Sequence, residues 1–347
     1  MPDSYDALLI VSFGGPERSE DVLPFLENVV RGKRVPRERL LQVAQHYEQF
    51  GGASPINEQV RQWMRLVQPQ LQAAGVQLPL FWGNRNWHPF LTDTIRQMAE
   101  QGVRRALAWV TSAYSSYSGC RQYREDIQAA CDAVGPAAPR VDKIRVFYNH
   151  PGFVAAQAAR VTEALESVPR DLRDRTWVFY TAHSLPRAMA DCCHYVRQLK
   201  ETCRLVSQRA GVTRDRLVYQ SRSGPPGQPW LEPDVCDAIE QLQTDEAPGS
   251  LVIVPVGFLS DHVEVLFDLD VEAREAARRC RLPMVRAATV GTHPLFVQMI
   301  RDLFLERLES RSTRPVVGRY GPHPDICPSD CCLPGPPSAA ASRGPAS

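Results

Sequence analysis

Residues 251–258, LVIVPVGF, form an unbroken apolar run, and this run limits the fold more than any other part of the chain. A strand with apolar side chains on both faces must be covered on both. A parallel sheet flanked by helices provides that cover; an antiparallel sheet with one wet face does not. The residues that follow, SDHVEVLFDLDVEARE (260–275), switch to a helical period, with Ser260 and Asp261 at its opening. On the expected helix 261–279, Glu264, Asp268 and Glu272 recur every fourth residue and share one face. Like charges at that spacing cost a helix roughly 0.2–0.5 kcal/mol per pair. Two readings of the column stay open. It is a solvated acidic face in which Asp261 and Glu264 make a capping box, or a strip that handles a cation where the carboxyl end of the strand meets a ligand crevice.

The rest of the chain repeats the alternation. Strand-like runs fall at 6–13, 78–82, 105–112, 144–148, 176–182, 216–221, 250–258 and 284–290. Helical patterns fill 19–30, 36–49, 57–73, 90–101, 123–134, 152–167, 191–210, 233–243, 261–279 and 293–310. Alternating strands and helices give an α/β fold of parallel sheets built from right-handed units. Eight strands can close into one barrel, but two four-stranded halves with a break between 149 and 175 fit better. The expected domains are 1–150 and 151–312, followed by a cysteine-containing and largely disordered tail, 313–347, rich in Pro, Gly, Ser and Ala.

A chain of 347 residues with 44 % hydrophobic and 23 % charged content is long enough for two cores. A formal net charge of +1 gives no field for nucleic acid or anionic membrane. No apolar stretch approaches a transmembrane segment, and the N-terminus lacks the basic region of a signal peptide. A cytoplasmic location follows as the expectation. There, ten cysteines read as buried apolar residues, metal ligands or reactive thiols rather than disulfides.

Three further features carry chemistry. The expected strand 176–182 runs into His183 in TAHSLP, an imidazole at a strand's carboxyl end, placed for proton transfer or metal ligation. Cys327, Cys331 and Cys332 crowd six residues of the tail. They suit zinc, free thiols or three of the four cysteinates of an iron–sulfur cluster, with Cys120 as the most exposed-looking fourth. The other cysteines, Cys131, Cys192, Cys193, Cys203, Cys236 and Cys280, sit in helical or strand patterns and read as buried free thiols. RGKRVPRER (31–39) gathers cations: Lys33 and Arg34 read as a solvated turn, while Arg31 suits an anionic substrate, with Tyr117, Trp87 and Trp230 for flat apolar contact. Gly14 and Gly15 make a βα turn without a full G-x-G-x-x-G nucleotide pattern.

The set SFGGPE (12–17), GGASPI (51–56), HPF (88–90), TSAYSSYSGC (111–120), TAHSLP (181–186), QSRSGPPGQPWLEPDV (220–235) and PVGFLSDHVEVLFDLD (255–270) closely resembles the ferrochelatases over about residues 5–310. The resemblance implies two Rossmann-like domains, each a four-stranded parallel sheet flanked by helices, with a porphyrin in the cleft between them. It implies insertion of ferrous iron in haem biosynthesis, with His183 and Glu264 catalytic and the metal handled by His183, Glu264, Asp268 and Glu272. Substrate contacts are expected at Phe13, Arg31, Ser54, Tyr117, Trp230 and His262. Phe13 stands where many bacterial relatives have a tyrosine that contacts product iron, and phenylalanine cannot ligate. The interval 29–50 is short and charged, unlike the hydrophobic lip of membrane-bound members, which favours coproporphyrin III over protoporphyrin IX. Some members hold a [2Fe–2S] cluster on one internal and three C-terminal cysteines, which implies Cys120, Cys327, Cys331 and Cys332 here. Expected partners are thus porphyrin and ferrous iron, with neighbouring haem-pathway enzymes as the protein partners such a role admits. A cobalt chelatase and a porphyrin- or haem-binding chaperone without turnover are the rival readings.

Overall fold

The expected alternation is realised as two parallel sheets. A computed structural model describes residues 4–32, 35–224, 227–311 and 313–335. The first sheet holds β1 (Ala7–Ser12), β2 (Leu80–Asn84), β3 (Arg105–Val110) and β4 (Arg140–Lys143) in the order β2-β1-β3-β4. The second holds β5 (Thr176–His183), β6 (Asp215–Gln220), β7 (Ser250–Val254) and β8 (Met284–Arg286) in the order β6-β5-β7-β8. All paired strands run parallel. The fold is therefore α/β with two open four-stranded sheets, not one closed barrel. In each sheet the strand order reverses beside the first strand of its half, so crevices open at the carboxyl ends of β1 and β5.

The helices are α1 (Ser19–Val29), α2 (Arg37–Glu48), α3 (Ile56–Ala73), α4 (Leu91–Glu100), α5 (Gln122–Val134), α6 (Pro151–Glu166), α7 (Arg187–Ala190), α8 (Tyr195–Ala210), α9 (Val235–Glu246), α10 (Val263–Leu266), α11 (Arg274–Arg279) and α12 (Pro294–Leu308). Every residue of β1 and β7 is buried, as two-sided cover requires. The largest core runs through both sheets, joining Leu8, Ile10 and Trp109 to Val178, Tyr180 and Val252 through α6 and α12. α12, last in sequence, returns to the first half: Phe296 packs on Trp63, Trp109, Phe147 and Phe153 with ring centroids 5.9–6.4 Å apart. Trp63 Nε1 also donates to the Gly291 carbonyl at 2.7 Å. Each such buried aromatic contributes about 1.5–3 kcal/mol.

Three local expectations change. The run 144–148 is not a strand. β4 is the polar segment Arg140–Lys143, an edge strand whose charges suit an open edge, and Ile144 to Tyr148 are buried as a loop against α12 and α8. β7 stops at Val254 because Pro255 has no N–H for the ladder. The stretch 313–335, expected to be largely disordered, instead lies along the body: Val317 N donates to Asn149 O at 2.9 Å, and Arg319 N to Glu201 Oε1 at 2.8 Å. Residues 336–347 lie outside the described part, as do Lys33 and Arg34 of the basic turn. Among the described residues no helix is long and apolar enough to cross a membrane.

Candidate active site

At the carboxyl edge of the first sheet, three of the quoted motifs are held together by two buried amides. Asn57 Nδ2 donates to Gly15 O at 3.1 Å, to Glu17 Oε1 at 2.9 Å and to His88 O at 3.2 Å. Asn84 Nδ2 donates to Asn57 Oδ1 at 3.2 Å and His88 O at 2.9 Å. Gly14 has a φ of +85°, and a Cβ there would meet Asn84 Cβ at 2.9 Å, so the turn after β1 requires glycine. Ser54 is buried in the same knot, its N–H on Pro16 O at 2.8 Å. Phe13 points away from it into a small core of the α1–α2 hairpin, edge-on to Phe25 at 6.2 Å. Arg31 is exposed after α1 and bonded to Asn28.

The second sheet supplies the titratable groups. His183 is the last residue of β5, and its Nδ1 meets the Ser184 carbonyl at 2.5 Å. A carbonyl only accepts, so Nδ1 carries a proton and Nε2 is left outside that bond. Nε2 lies 3.7 Å from Glu264 Oε2, with the two side chains 35 % and 45 % exposed. The ring's backbone is fixed from behind, where Tyr195 Oη donates to the His183 carbonyl at 3.0 Å.

Glu264 is not the partner of a capping box. The N-cap is His262, whose Nδ1 accepts from Val265 N at 3.4 Å, and Asp261 pairs instead with Arg286. His262 thus caps a helix beside His183 and Glu264, and burial holds its imidazole below the ordinary histidine range. The expected uniform helix is broken: α10 passes into a π-helical turn, Phe267–Ala273, before α11. Wider turns of this kind recur at functional sites, and here Glu264 and Glu272 both stay within electrostatic reach of Asp268. Asp268 is buried and accepts from Gln220 Nε2 at 3.1 Å and from Ser221 Oγ. Burial and the neighbouring Glu264 push its carboxyl up to about 8, so it is largely protonated at neutral pH. Glu272 is more exposed, raised by partial burial and by Asp234.

Two contacts invisible in the sequence close the site from the other half. His46 on α2 stacks on Phe267, ring centroids 3.6 Å apart and planes within 7°. Tyr47 beside it is held well above the ordinary phenol range, by burial first and by Glu264 second. Trp230 is buried next to the His183 loop, bridged to Pro186. A cavity of about 290 Å³, lined by Ser184, Tyr219, Arg222 and Asp234 among others, adjoins His183 without containing it and is at the small end for a ligand site.

The cysteines meet on the opposite side of the β5 loop. Cys120, expected to be exposed, is buried in a wide turn, Tyr117–Arg121. Tyr117 opens that turn, and partial burial, then the neighbouring Glu125, raises its hydroxyl. Cys120 touches the Cys327 thiol, whose hydrogen bond favours a thiolate at Cys120, with Lys143 and His323 nearby. Cys331 Sγ lies 3.3 Å from Cys332 Sγ. Arg121 Nη1 ties this loop down through Ser329 O at 2.6 Å and Cys331 O at 3.0 Å. Cys193, half-buried against the core like Cys131, Cys236 and Cys280, lies near Cys331 as a fifth thiol; Cys203 is buried as expected, and Cys192 is exposed, contrary to expectation. Four neighbouring thiols, two of them buried, suit an iron–sulfur group by their chemistry. They do not stand around one point, and among the described residues no three His, Cys, Asp or Glu side chains are grouped as a ready metal site.

Residues 5–308 match the family model of ferrochelatase. The chain belongs to the ferrochelatase family. It is an enzyme that inserts iron into a porphyrin. It is 55 % identical to a ferrochelatase of Rhodopirellula baltica, across 95 % of this chain and 93 % of that one. It is 47 % identical to a coproporphyrin III ferrochelatase of Streptomyces griseus, with 98 % and 96 % covered, and 46 % identical to one of Mycolicibacterium smegmatis, with 91 % and 93 % covered. Among solved structures, SirB from Bacillus subtilis matches with a TM-score of 0.53 at 13 % identity, covering 86 % of this chain and 94 % of SirB. A multi-domain Deinococcus radiodurans protein with structural similarity to chelatases matches at 0.51 with 14 % identity, covering 86 % of this chain and 55 % of that longer one. These two likenesses concern the fold alone.

Proposed function

We propose that this ferrochelatase acts on coproporphyrin III, with His183 as proton acceptor and Glu264 as its partner. The observation that carries the reading is the Nε2 of His183, 3.7 Å from Glu264 at the end of β5. A free-base porphyrin must lose two pyrrole protons as ferrous iron enters, and a cleft that bends the ring exposes a nitrogen lone pair. His183 Nε2 accepts a pyrrole proton. Glu264 either relays it or holds iron on approach, and Asp268 and Glu272 continue the strip away from the ring. A protonated Asp268 adds a carboxyl that can exchange its proton for a cation when iron arrives.

Coproporphyrin III has four carboxylates. The short charged interval 29–50 and the exposed Arg31 support an anionic substrate over the more apolar protoporphyrin IX. The Streptomyces and Mycolicibacterium relatives carry that substrate in their names. Side-by-side turnover should give a higher kcat/KM with coproporphyrin III, by about tenfold or more, roughly 1.4 kcal/mol of differential transition-state binding. A preference for protoporphyrin IX would overturn the assignment.

The same proposal assigns a [2Fe–2S] cluster to Cys120, Cys327, Cys331 and Cys332. When bound, such a group supplies one-electron redox chemistry, tuned by its surroundings. Arg121 and Lys143 are the positive groups that would offset thiolate charge there. Protein purified without oxygen is expected to be coloured, with about two irons and two sulfides per chain. A colourless, iron-free preparation would sink the assignment. A cytoplasmic location and encounters with neighbouring haem-pathway enzymes belong to the same reading.

A further inference from the structure

Arg286, the last residue of β8, touches none of the groups assigned to proton or iron handling, yet it ties together the segment that carries them. Its guanidinium grips Asp261 with two bonds, Nη1 to Oδ1 at 3.1 Å and Nη2 to Oδ2 at 3.2 Å. Its Nε donates to Asp270 Oδ1 at 3.0 Å. The arginine side chain is 15 % exposed and the two carboxylates 28 % and 24 %, so these pairs are largely shielded from water. The ladder fixes the base of the arginine: Arg286 pairs with Ile253 of β7, and Ala287 N donates to Ile253 O at 2.8 Å.

Asp261 stands one residue before the cap His262, and Asp270 lies in the middle of the wide turn. Glu264 and Asp268 fall between these two anchors. A planar fork with fixed donors can hold two carboxylates at once; a lysine ammonium on a flexible stem lacks that geometry. Arg274 also reaches Asp270, at 3.2 Å, but is 55 % exposed and leaves Asp261 free.

We propose that Arg286 is a positioning residue for iron insertion: one guanidinium clamps both ends of the segment bearing Glu264 and Asp268 and so keeps Glu264 against His183. The inference rests on the assignment of His183 and Glu264 given above. A misplacement of about 1 Å in a reacting group costs on the order of 100-fold in rate. Arg286→Met is therefore expected to lower kcat by about 10- to 100-fold, with KM for porphyrin and porphyrin affinity kept within about twofold. Arg286→Lys should recover part of the loss. An unchanged kcat in folded Arg286→Met would overturn the proposal, and so would a loss that appears only in KM. Should Arg286→Met fail to fold, Asp270→Asn removes one arm alone. A lowered kcat with KM kept then supports the clamp, and an unchanged kcat overturns it. Glu264→Gln run in parallel separates the two levels. Full activity there defeats the site assignment itself, whereas an inactive Glu264→Gln beside a fully active Arg286→Met defeats only the clamp.

Discussion

Replacement of His183 by alanine is expected to lower kcat for iron insertion by about 100- to 10,000-fold while porphyrin affinity stays within a few-fold. The size follows from the geometry. His183 Nδ1 is committed to the Ser184 carbonyl, so Nε2 is the ring atom left to take a proton, with Glu264 3.7 Å away. Binding should survive because the loop is held by bonds that do not involve the ring: Ser184 N to Gln220 O at 2.8 Å, Leu231 N to Leu185 O at 2.9 Å and the Tyr195 hydroxyl on the His183 carbonyl. Fluorescence titration of porphyrin and steady-state insertion with ferrous iron separate the two effects. Wild-type turnover in the variant would refute the proposed mechanism and reopen a chaperone that binds porphyrin without converting it.

The second large effect is on stability. Arg145 and Glu306 form a bidentate pair, Nε to Oε1 at 2.8 Å and Nη2 to Oε2 at 2.9 Å, with side chains 0 % and 2 % exposed. Arg145 also donates to Pro315 O at 3.1 Å, which pins the start of the C-terminal strap. Arg145→Met leaves the Glu306 carboxylate buried without its bidentate partner, with Arg314 4.0 Å away. Removing one partner of a buried pair costs about 3–5 kcal/mol, mostly through the charge left behind. The double variant Arg145→Met, Glu306→Leu is therefore expected to recover most of that loss. Denaturant unfolding of the two single variants and the double variant measures the coupling directly. A single variant within about 1 kcal/mol of wild type would show that the pair contributes little.

The sequence revealed those parts of the molecule where local pattern and final contact coincide. β7 and β1 were visible because a strand buried on both faces must be apolar throughout. The acidic strip was visible because spacing by four keeps side chains together in an α-helix and in the wider turn that replaces it. The wide turn itself was not, since nothing in FDLDVEA marks the extra residue. β4 was missed because an edge strand reads as polar. The apolar run beside it was taken for the strand because burial against helices leaves the same composition as burial in a sheet. His46, Asn57, Asn84 and Arg286 escaped notice because their partners lie far along the chain: His46 meets Phe267, Asn57 meets Gly15 and His88, and Arg286 meets Asp261. Only a fold brings such pairs together. The cysteine tail looked unstructured because its backbone is held mostly by side chains elsewhere, such as Arg121, Asn149 and Glu201.

The two sheets share more than a strand order. Ser12 pairs with Asn84 as His183 pairs with Gln220, and both amides are buried and bonded onward, Asn84 to Asn57 and Gln220 to Asp268. After β3 the Ser112 N–H turns back to Val110 O at 2.7 Å, and after β7 the Val256 N–H does the same to Val254 O at 2.7 Å. Matched in this way, the two sheets place Ser12 where His183 stands. In the first sheet that socket is spent inward, the Ser12 hydroxyl accepting from Thr111 Oγ1 at 3.3 Å. Two matching sheets thus offer two equivalent seats at their carboxyl edges, and the second of them carries the imidazole.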